Sequence, residues 1–330
     1  MVAGGVQIGM EDQPRGGEPN RQLPVGNEIF LDHVGHFVPD VEAARSALAR
    51  AGFAATPISI QVDERNGELT GTGNTTAMLA RGYIEALFRT ADTPLAQEFD
   101  AALARHAGVH LAAFAVADAA AAHRRLATAG LRVRPLAQMR RPAETEAGAG
   151  VAAFTVARVE RAVMPEGRIQ ILTHHSEAEV WRPRWLTHPN GSRALTGLII
   201  AVPDVEEAAE RFARFTGRPA AALGVGQTIR LDRGRVHIVS PGDFANLVPG
   251  VAIPGVPFIG AYGILVQSID ATRSLLARAK IPTRQVGAAL LAPFPAGLGD
   301  GALLFAQEPA GFPWSSAAGL VGRAASDATR

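Results

Sequence analysis

The chain repeats itself, and that repeat constrains the fold more than any other feature. Leu31-Asp32-His33-Val34-Gly35-His36-Phe37-Val38-Pro39-Asp40-Val41-Glu42 opens as an apolar strand and runs into an alanine-rich helix. Leu195-Thr196-Gly197-Leu198-Ile199-Ile200-Ala201-Val202-Pro203-Asp204-Val205-Glu206 does the same. The shared Val-Pro-Asp-Val-Glu string recurs at an offset of 164 residues, from position 38 to position 202. Two weaker copies run from Val109 through Asp118 to Gly130, and from Tyr262 through Asp270 to Ala279. An aspartate follows the strand in each copy, where its carboxylate accepts the unpaired amide hydrogens of a first helical turn. Gly52 and Gly130 stand where C′ glycines end helices. Short strand candidates come next, and the last of each copy follows a glycine: Gly82-Tyr83-Ile84-Glu85, Gly167-Arg168-Ile169-Gln170, Gly234-Arg235-Val236-His237 and Gly301-Ala302-Leu303-Leu304. The unit is therefore βαβββ, present four times. One such unit leaves a sheet face uncovered, and pairing two closes a curved sheet around a cleft. The expected fold class is α+β, with four modules forming two tandem domains of mixed, cleft-forming sheets.

Composition removes several kinds of chemistry. A formal net charge of +1 over 330 residues leaves no electrostatic footprint for nucleic acid. The absence of cysteine excludes disulfides, thiol nucleophiles, iron–sulfur clusters and cysteine zinc sites. Lys280 is the single lysine, so Schiff-base chemistry has one candidate. No segment approaches the roughly 20 apolar residues of a membrane span, and none after Met1 resembles a signal-peptide core. The expectation is a cytoplasmic protein without membrane partners. Residues 1–27 read as a flexible arm, 28–175 as the first domain, 176–194 as a linker, 195–308 as a second, degenerate domain and 309–330 as a tail. Trp314 is expected to pin the start of that tail to the body.

The four-module pattern resembles the vicinal oxygen chelate superfamily of glyoxalases, extradiol dioxygenases and bleomycin-resistance proteins. More narrowly, it is similar to bacterial proteins with two glyoxalase-like domains in tandem. The resemblance implies a metal site with ligands at two places per module. One lies on the first strand, seven residues before the capping aspartate; the other lies on the last strand, three residues after the glycine. In the first module these positions hold His33 and Glu85. In the second they hold Leu111, with His110 adjacent, and Gln170. A β-bulge near Ala112–Ala113 would turn His110 inward. The implied ligand set is His33, Glu85, His110 and Gln170, suited to Mn, Fe, Co, Ni or Zn. Small Gly35 beside His33 would leave room for a ligand. The C-terminal positions hold Gly197, His237, Gly263 and Leu304, which cannot hold a catalytic metal and count against dioxygenase chemistry.

Each candidate also has a plainer reading. His33 and Glu85 serve equally as a satisfied core histidine and one member of a structural ion pair. His110 reads as a strand-start residue by ordinary alternation, and His237 as structural. Gly71-Thr72-Gly73-Asn74-Thr75-Thr76 is no nucleotide loop, because it runs into a strand and lacks a GK[ST] ending. The family resemblance implies that Asn74 and Thr76, together with Tyr83 on the face of Glu85, meet a substrate; a turn into a strand explains the same string. Trp181 and Trp185 either wall a ligand site or glue the domains together. Two functions follow. One is a metal-dependent lyase or isomerase acting on a small oxygen-chelating substrate, with Glu85 as base. The other is a metal-free protein that binds or sequesters a small molecule. Relatives often assemble through their modules, which admits a homodimer.

Overall fold

The computed structural model describes residues 21–63, 66–145 and 148–314. Residues 1–20 of the expected arm and the tail beyond Trp314 lie outside the described residues. The first module comprises β1 (Ile29–Phe37), α1 (Val41–Arg50), β2 (Ser59–Asp63), β3 (Leu69–Met78) and β4 (Tyr83–Arg89). After α2 (Pro94–Leu103) the second follows as β5 (Gly108–Val116), α3 (Ala119–Thr128), β6 (Ala137–Thr145), β7 (Gly148–Arg158) and β8 (Arg168–His174). A short α4 (Glu177–Val180) leads to the third: β9 (Ser192–Ala201), α5 (Val205–Thr216), β10 (Ala220–Ala222), β11 (Gln227–Arg230) and β12 (Arg235–Val239). Beyond α6 (Pro241–Leu247) lie β13 (Phe258–Val266), α7 (Ile269–Arg278), β14 (Arg284–Val286), β15 (Ala289–Pro293) and β16 (Ala302–Ala306).

Helix entry follows the capping rule, with one correction. The side chains of Asp40, Asp118 and Asp204 accept amide hydrogens from the first turns of α1, α3 and α5. In the fourth copy the cap is Ser268, which accepts from Ala271 N; Asp270 sits one turn position inside the helix. Gly52 and Gly130 leave α1 and α3 with φ of 82° and 77°, the left-handed region that favours glycine.

Both halves are mixed sheets in which a module's first strand runs parallel to its last, and the two first strands pair antiparallel. In the N-terminal half β2 also pairs with β6, Val62 opposite Arg140 and Asp63 opposite Met139, which closes the eight strands into a barrel. The C-terminal eight-stranded sheet stays open, with β10 and β14 at its edges.

Each first strand carries one extra residue. Between Leu31 and His33 the pairing to β5 skips Asp32, and between Leu111 and Val109 it skips His110. Thr196 and Gly260 are skipped at the matching places of the C-terminal sheet. In three of the four modules the glycine before the last strand answers this bulge; in the third, Gly234 instead makes room for Leu31. A Cβ on Gly82 would lie 2.7 Å from the carbonyl oxygen of Asp32, and one on Gly301 2.7 Å from that of Gly260. One on Gly167 would collide with the carbonyl of His110. The extra residue also resets alternation. Leu31, which strict alternation would put on the His33 face, joins the core cluster of Val34 and Val38 instead.

That core runs continuously from the barrel through the C-terminal sheet, from Leu48 and Phe114 to Phe212 and Tyr262. His36 sits in it rather than on a helix or at the surface. Its Nδ1 donates to the Leu298 carbonyl at 2.8 Å, and its Nε2 accepts from the Tyr262 hydroxyl at 2.9 Å. A second tie crosses between the halves, where Arg211 of α5 forks onto both carboxylate oxygens of Glu166 at 2.7 and 2.8 Å. Among the described residues no helix is long and apolar enough to cross a membrane.

Burial pushes the His36 imidazole down from the ordinary 6.5 to about 4, so the fold holds it neutral. The unfolded chain then binds the extra proton, and stability falls as pH drops from about 6.5 to about 4. The steepest loss from one such group is about 1.4 kcal/mol per pH unit. Urea unfolding across that range is expected to show a shallower slope in His36→Gln than in the parent; identical slopes would contradict this assignment.

Candidate functional site

The barrel holds a cleft lined by His33, Asn74, Tyr83, Glu85, Arg158, Arg168 and Gln170, among others. Its polar side chains form one string. The carboxylate of Asp32, wholly buried, accepts from His33 Nδ1 at 2.7 Å and from His174 Nε2 at 3.0 Å. Burial pushes the Asp32 pKa up, but the charges and hydrogen bonds of His174 and His33 outweigh it and hold the carboxyl well below the usual carboxylate range. With its proton on Nδ1, His33 turns Nε2 toward Glu85 Oε2, 3.5 Å away. Glu85 Oε1 accepts from Asn74 Nδ2. The His33 ring stacks on Tyr83 with centroids 4.3 Å apart, and Trp181 packs edgewise against both Tyr83 and His174. Trp181 thus buttresses the string within the barrel instead of joining the domains; its cluster contains Met78 and Ala152.

The remaining sequence candidates divide. Gln170 faces the cleft, but its Oε1 accepts from Arg158 Nε at 3.0 Å. Thr76 does not reach the cleft lining; its hydroxyl pairs with Thr56 at 3.0 Å. His110 leaves the set altogether. The bulge falls at His110 itself instead of near Ala112–Ala113, and Leu111 takes the inward position. His110 Nε2 donates to the His106 carbonyl at 2.8 Å, behind the cleft wall. Gly35 leaves no free space either, because Leu87 and Leu111 close over it.

Four residues of the site were not legible as such: Asp32, His174, Arg158 and Arg168. Asp32 and His174 are buried titratable side chains on largely apolar strands, and that cost of burial was the available signal; Arg158 and Arg168 stand at strand ends, where the sequence offers none. Arg158 and Arg168 are half-buried neighbours. Burial and the Arg134 charge push Arg158 down to about 10, while burial and the Arg158 charge push Arg168 to about 9. Arg168 lies over the Phe37 ring, and its buried Nη2 has no hydrogen-bond partner among the described residues.

The matching place in the C-terminal sheet is filled by protein. A Cβ on Gly263 would lie 2.8 Å from the Trp314 ring, and Phe312 stacks on Trp314 with centroids 4.7 Å apart. Leu304 belongs to the same buried cluster. His237 is buried beside them, bonded through Nδ1 to Thr228 Oγ1 at 2.6 Å.

The sequence profile of the glyoxalase-like domain matches residues 31–216, more than half of the chain. The chain belongs to the glyoxalase-like domain family. No characterised protein matches it by sequence. Among solved structures, a hypothetical protein from Staphylococcus aureus is similar with a TM-score of 0.59 and 10% identity, over 84% of this chain and 98% of that one. A mutant 4-hydroxymandelate synthase from Streptomyces coelicolor is similar with a TM-score of 0.51 and 16% identity, over 84% and 91%. At these identities the likeness shows the vicinal oxygen chelate fold alone.

The metal set that this family often carries can be tested against the glyoxalase-like barrel directly. Only His33 Nε2 and Glu85 Oε2 converge. The third position is engaged by Arg158 and the fourth is Leu111. Among the described residues no three of His, Asp or Glu come together as a metal would need. Catalytic sites of this kind rest on about three protein donors, so one imidazole and one carboxylate flanked by two guanidinium groups do not fit.

In the second cleft, Trp314→Ala is expected to lower stability by about 3–5 kcal/mol, the usual loss for a large buried aromatic. Denaturant unfolding measures it; a loss near zero would show that Trp314 is not seated there in solution.

Proposed function

We propose that this glyoxalase-like protein is a metal-independent small-molecule-binding protein of the vicinal oxygen chelate kind, and that its N-terminal cleft takes a small organic anion. The observation that carries this reading is the bond from Arg158 Nε to Gln170 Oε1, with Arg168 beside it. Where a metal-dependent relative would gather donor atoms around a cation, this cleft presents fixed positive charge. A guanidinium is planar, remains charged at neutral pH even with these lowered pKa values, and is matched to carboxylate geometry. Glu85 supplies the opposite sign within the same cleft. A ligand with one anionic group and one hydroxyl or acidic C–H satisfies both ends.

Glu85 is also the group best placed to move a proton. It sits at the open end of the string from His174 through Asp32 and His33, and Asn74 donates to its other oxygen. Asp32 and His174 are buried and touch no ligand; they fix the His33 tautomer and so position it. Tyr83 and the Phe154, Leu87 and Leu172 side chains supply apolar walls that exclude water from this end. Proton exchange at Glu85 would convert binding into isomerase or lyase chemistry without a cation.

Calorimetric titration of EDTA-treated protein with a panel of small hydroxy- and oxo-carboxylates tests this reading. Binding is expected to survive EDTA and to weaken about tenfold or more in Arg158→Met, the cost of a lost charge-assisted pair. Binding that vanishes with EDTA and returns with a divalent cation would contradict it.

A further inference from the structure

A second cavity shares the Arg158–Arg168 wall with the first. Arg105, Arg134 and Arg161 line it together with Arg158 and Arg168. Glu98 is its only lining carboxylate, and Arg134 Nη1 already holds Glu98 Oε1 at 2.7 Å. The other guanidinium groups spend few hydrogens on protein. Arg105 reaches the carbonyls of Pro165 and Pro257, at 3.3 and 2.8 Å. Arg161 reaches the Glu98 carbonyl at 3.3 Å, and the Arg168 Nη2 has no hydrogen-bond partner among the described residues.

Their mutual repulsion shows in their acidities. Burial and Arg161 lower the Arg105 pKa, and burial and Arg158 lower that of Arg168. The nearest titratable imidazole conforms to the same field. Burial, then His106 and the Arg105 and Arg161 charges, pushes His110 down to about 3, so it adds no further charge. Glu98 and Glu85 offset part of this charge at Arg158 and Arg168, and Glu166 at Arg105, but five guanidinium groups line the cavity against the single carboxylate of Glu98, so a polyanion that fills it stabilises the fold.

We infer that this arginine cavity is a phosphoryl-binding site, distinct from the organic-anion cleft. The chemistry selects the ligand class. A monocarboxylate offers two oxygens and one charge, whereas a phosphoryl group offers three acceptor oxygens and close to two charges. Planar guanidinium forks bind such tetrahedral oxyanions bidentately. Phe37 closes the floor of the cavity and carries the Arg168 guanidinium at 5.0 Å from its ring centroid. The inference does not depend on what the first cleft binds.

The test is calorimetric titration of the full chain with inorganic phosphate, pyrophosphate and glycerol 3-phosphate, against sodium chloride of matched ionic strength. All variants are first checked for an unchanged fold by circular dichroism. The expected result is saturable binding that weakens about tenfold in Arg161→Gln and in Arg105→Gln. Arg105→Lys, which keeps charge but loses the fork, is expected to fall between. Tightest binding of glycerol 3-phosphate would assign the site to a phosphate monoester, and tightest binding of pyrophosphate to a diphosphate. No heat beyond the chloride control would overturn the inference. So would phosphate binding that is unchanged in both arginine variants, or that is lost in His33→Ala while the arginine variants retain it. Failure of carboxylates in the first cleft leaves these outcomes readable, because Arg105 and Arg161 line only the second cavity.

Discussion

The site depends on one buried carboxylate. Asp32 has no exposed surface, and its two oxygens are each held by an imidazole from a different strand. An isolated carboxylate in such a place would cost several kcal/mol, so the two histidines and the aspartate are a unit that stands or falls together. The bulge is what makes the unit possible. The extra residue lets Asp32 and His33 depart from strict alternation, and it obliges Gly82 to pass the Asp32 carbonyl without a Cβ. One additional residue in β1 thus sets the tautomer of His33, the aim of its Nε2 at Glu85 and the identity of the residue that opens β4.

The pseudo-symmetry of the modules then shows how one scaffold is put to different uses. The bulge persists at Asp32, His110, Thr196 and Gly260, so it belongs to the architecture. The residue at the bulge decides the outcome. Asp32 organises the cleft, His110 turns to the His106 carbonyl beside the arginine cavity, and Thr196 bonds the Gly263 carbonyl at 3.0 Å. In the C-terminal sheet the corresponding space is taken by Trp314 and Phe312. The N-terminal barrel keeps its cleft open because its eight strands close through β2 and β6 around side chains that carry charge.

Much of the fold was legible from the sequence. The Val-Pro-Asp-Val-Glu repeat, the aspartate caps and the glycine before each last strand were enough to lay out four βαβββ modules in a vicinal oxygen chelate arrangement. Two things were not legible. A bulge leaves no periodic trace, because an inserted residue changes which face each neighbour takes without changing composition. That is why His110 was expected to face the cleft if a bulge intervened two residues later. The second hidden feature was the pairing of distant charges. Arg158 and Arg168 read as unremarkable strand-end residues until β7 and β8 bring them together at Gln170. His33, Asn74, Tyr83, Glu85 and Gln170 do line one cleft, and the arginines beside them change what that cleft can hold.

The central claim is that fixed guanidinium charge stands where a family relative would place a cation. Elemental mass spectrometry of the purified, untagged protein tests it most directly, after incubation with Mn, Fe, Co, Ni and Zn in turn and removal of free ion. The account predicts metal far below one equivalent per chain for every ion, with no change in His33→Ala. Close to one equivalent of any of them, lost in His33→Ala and in Glu85→Ala, would contradict it.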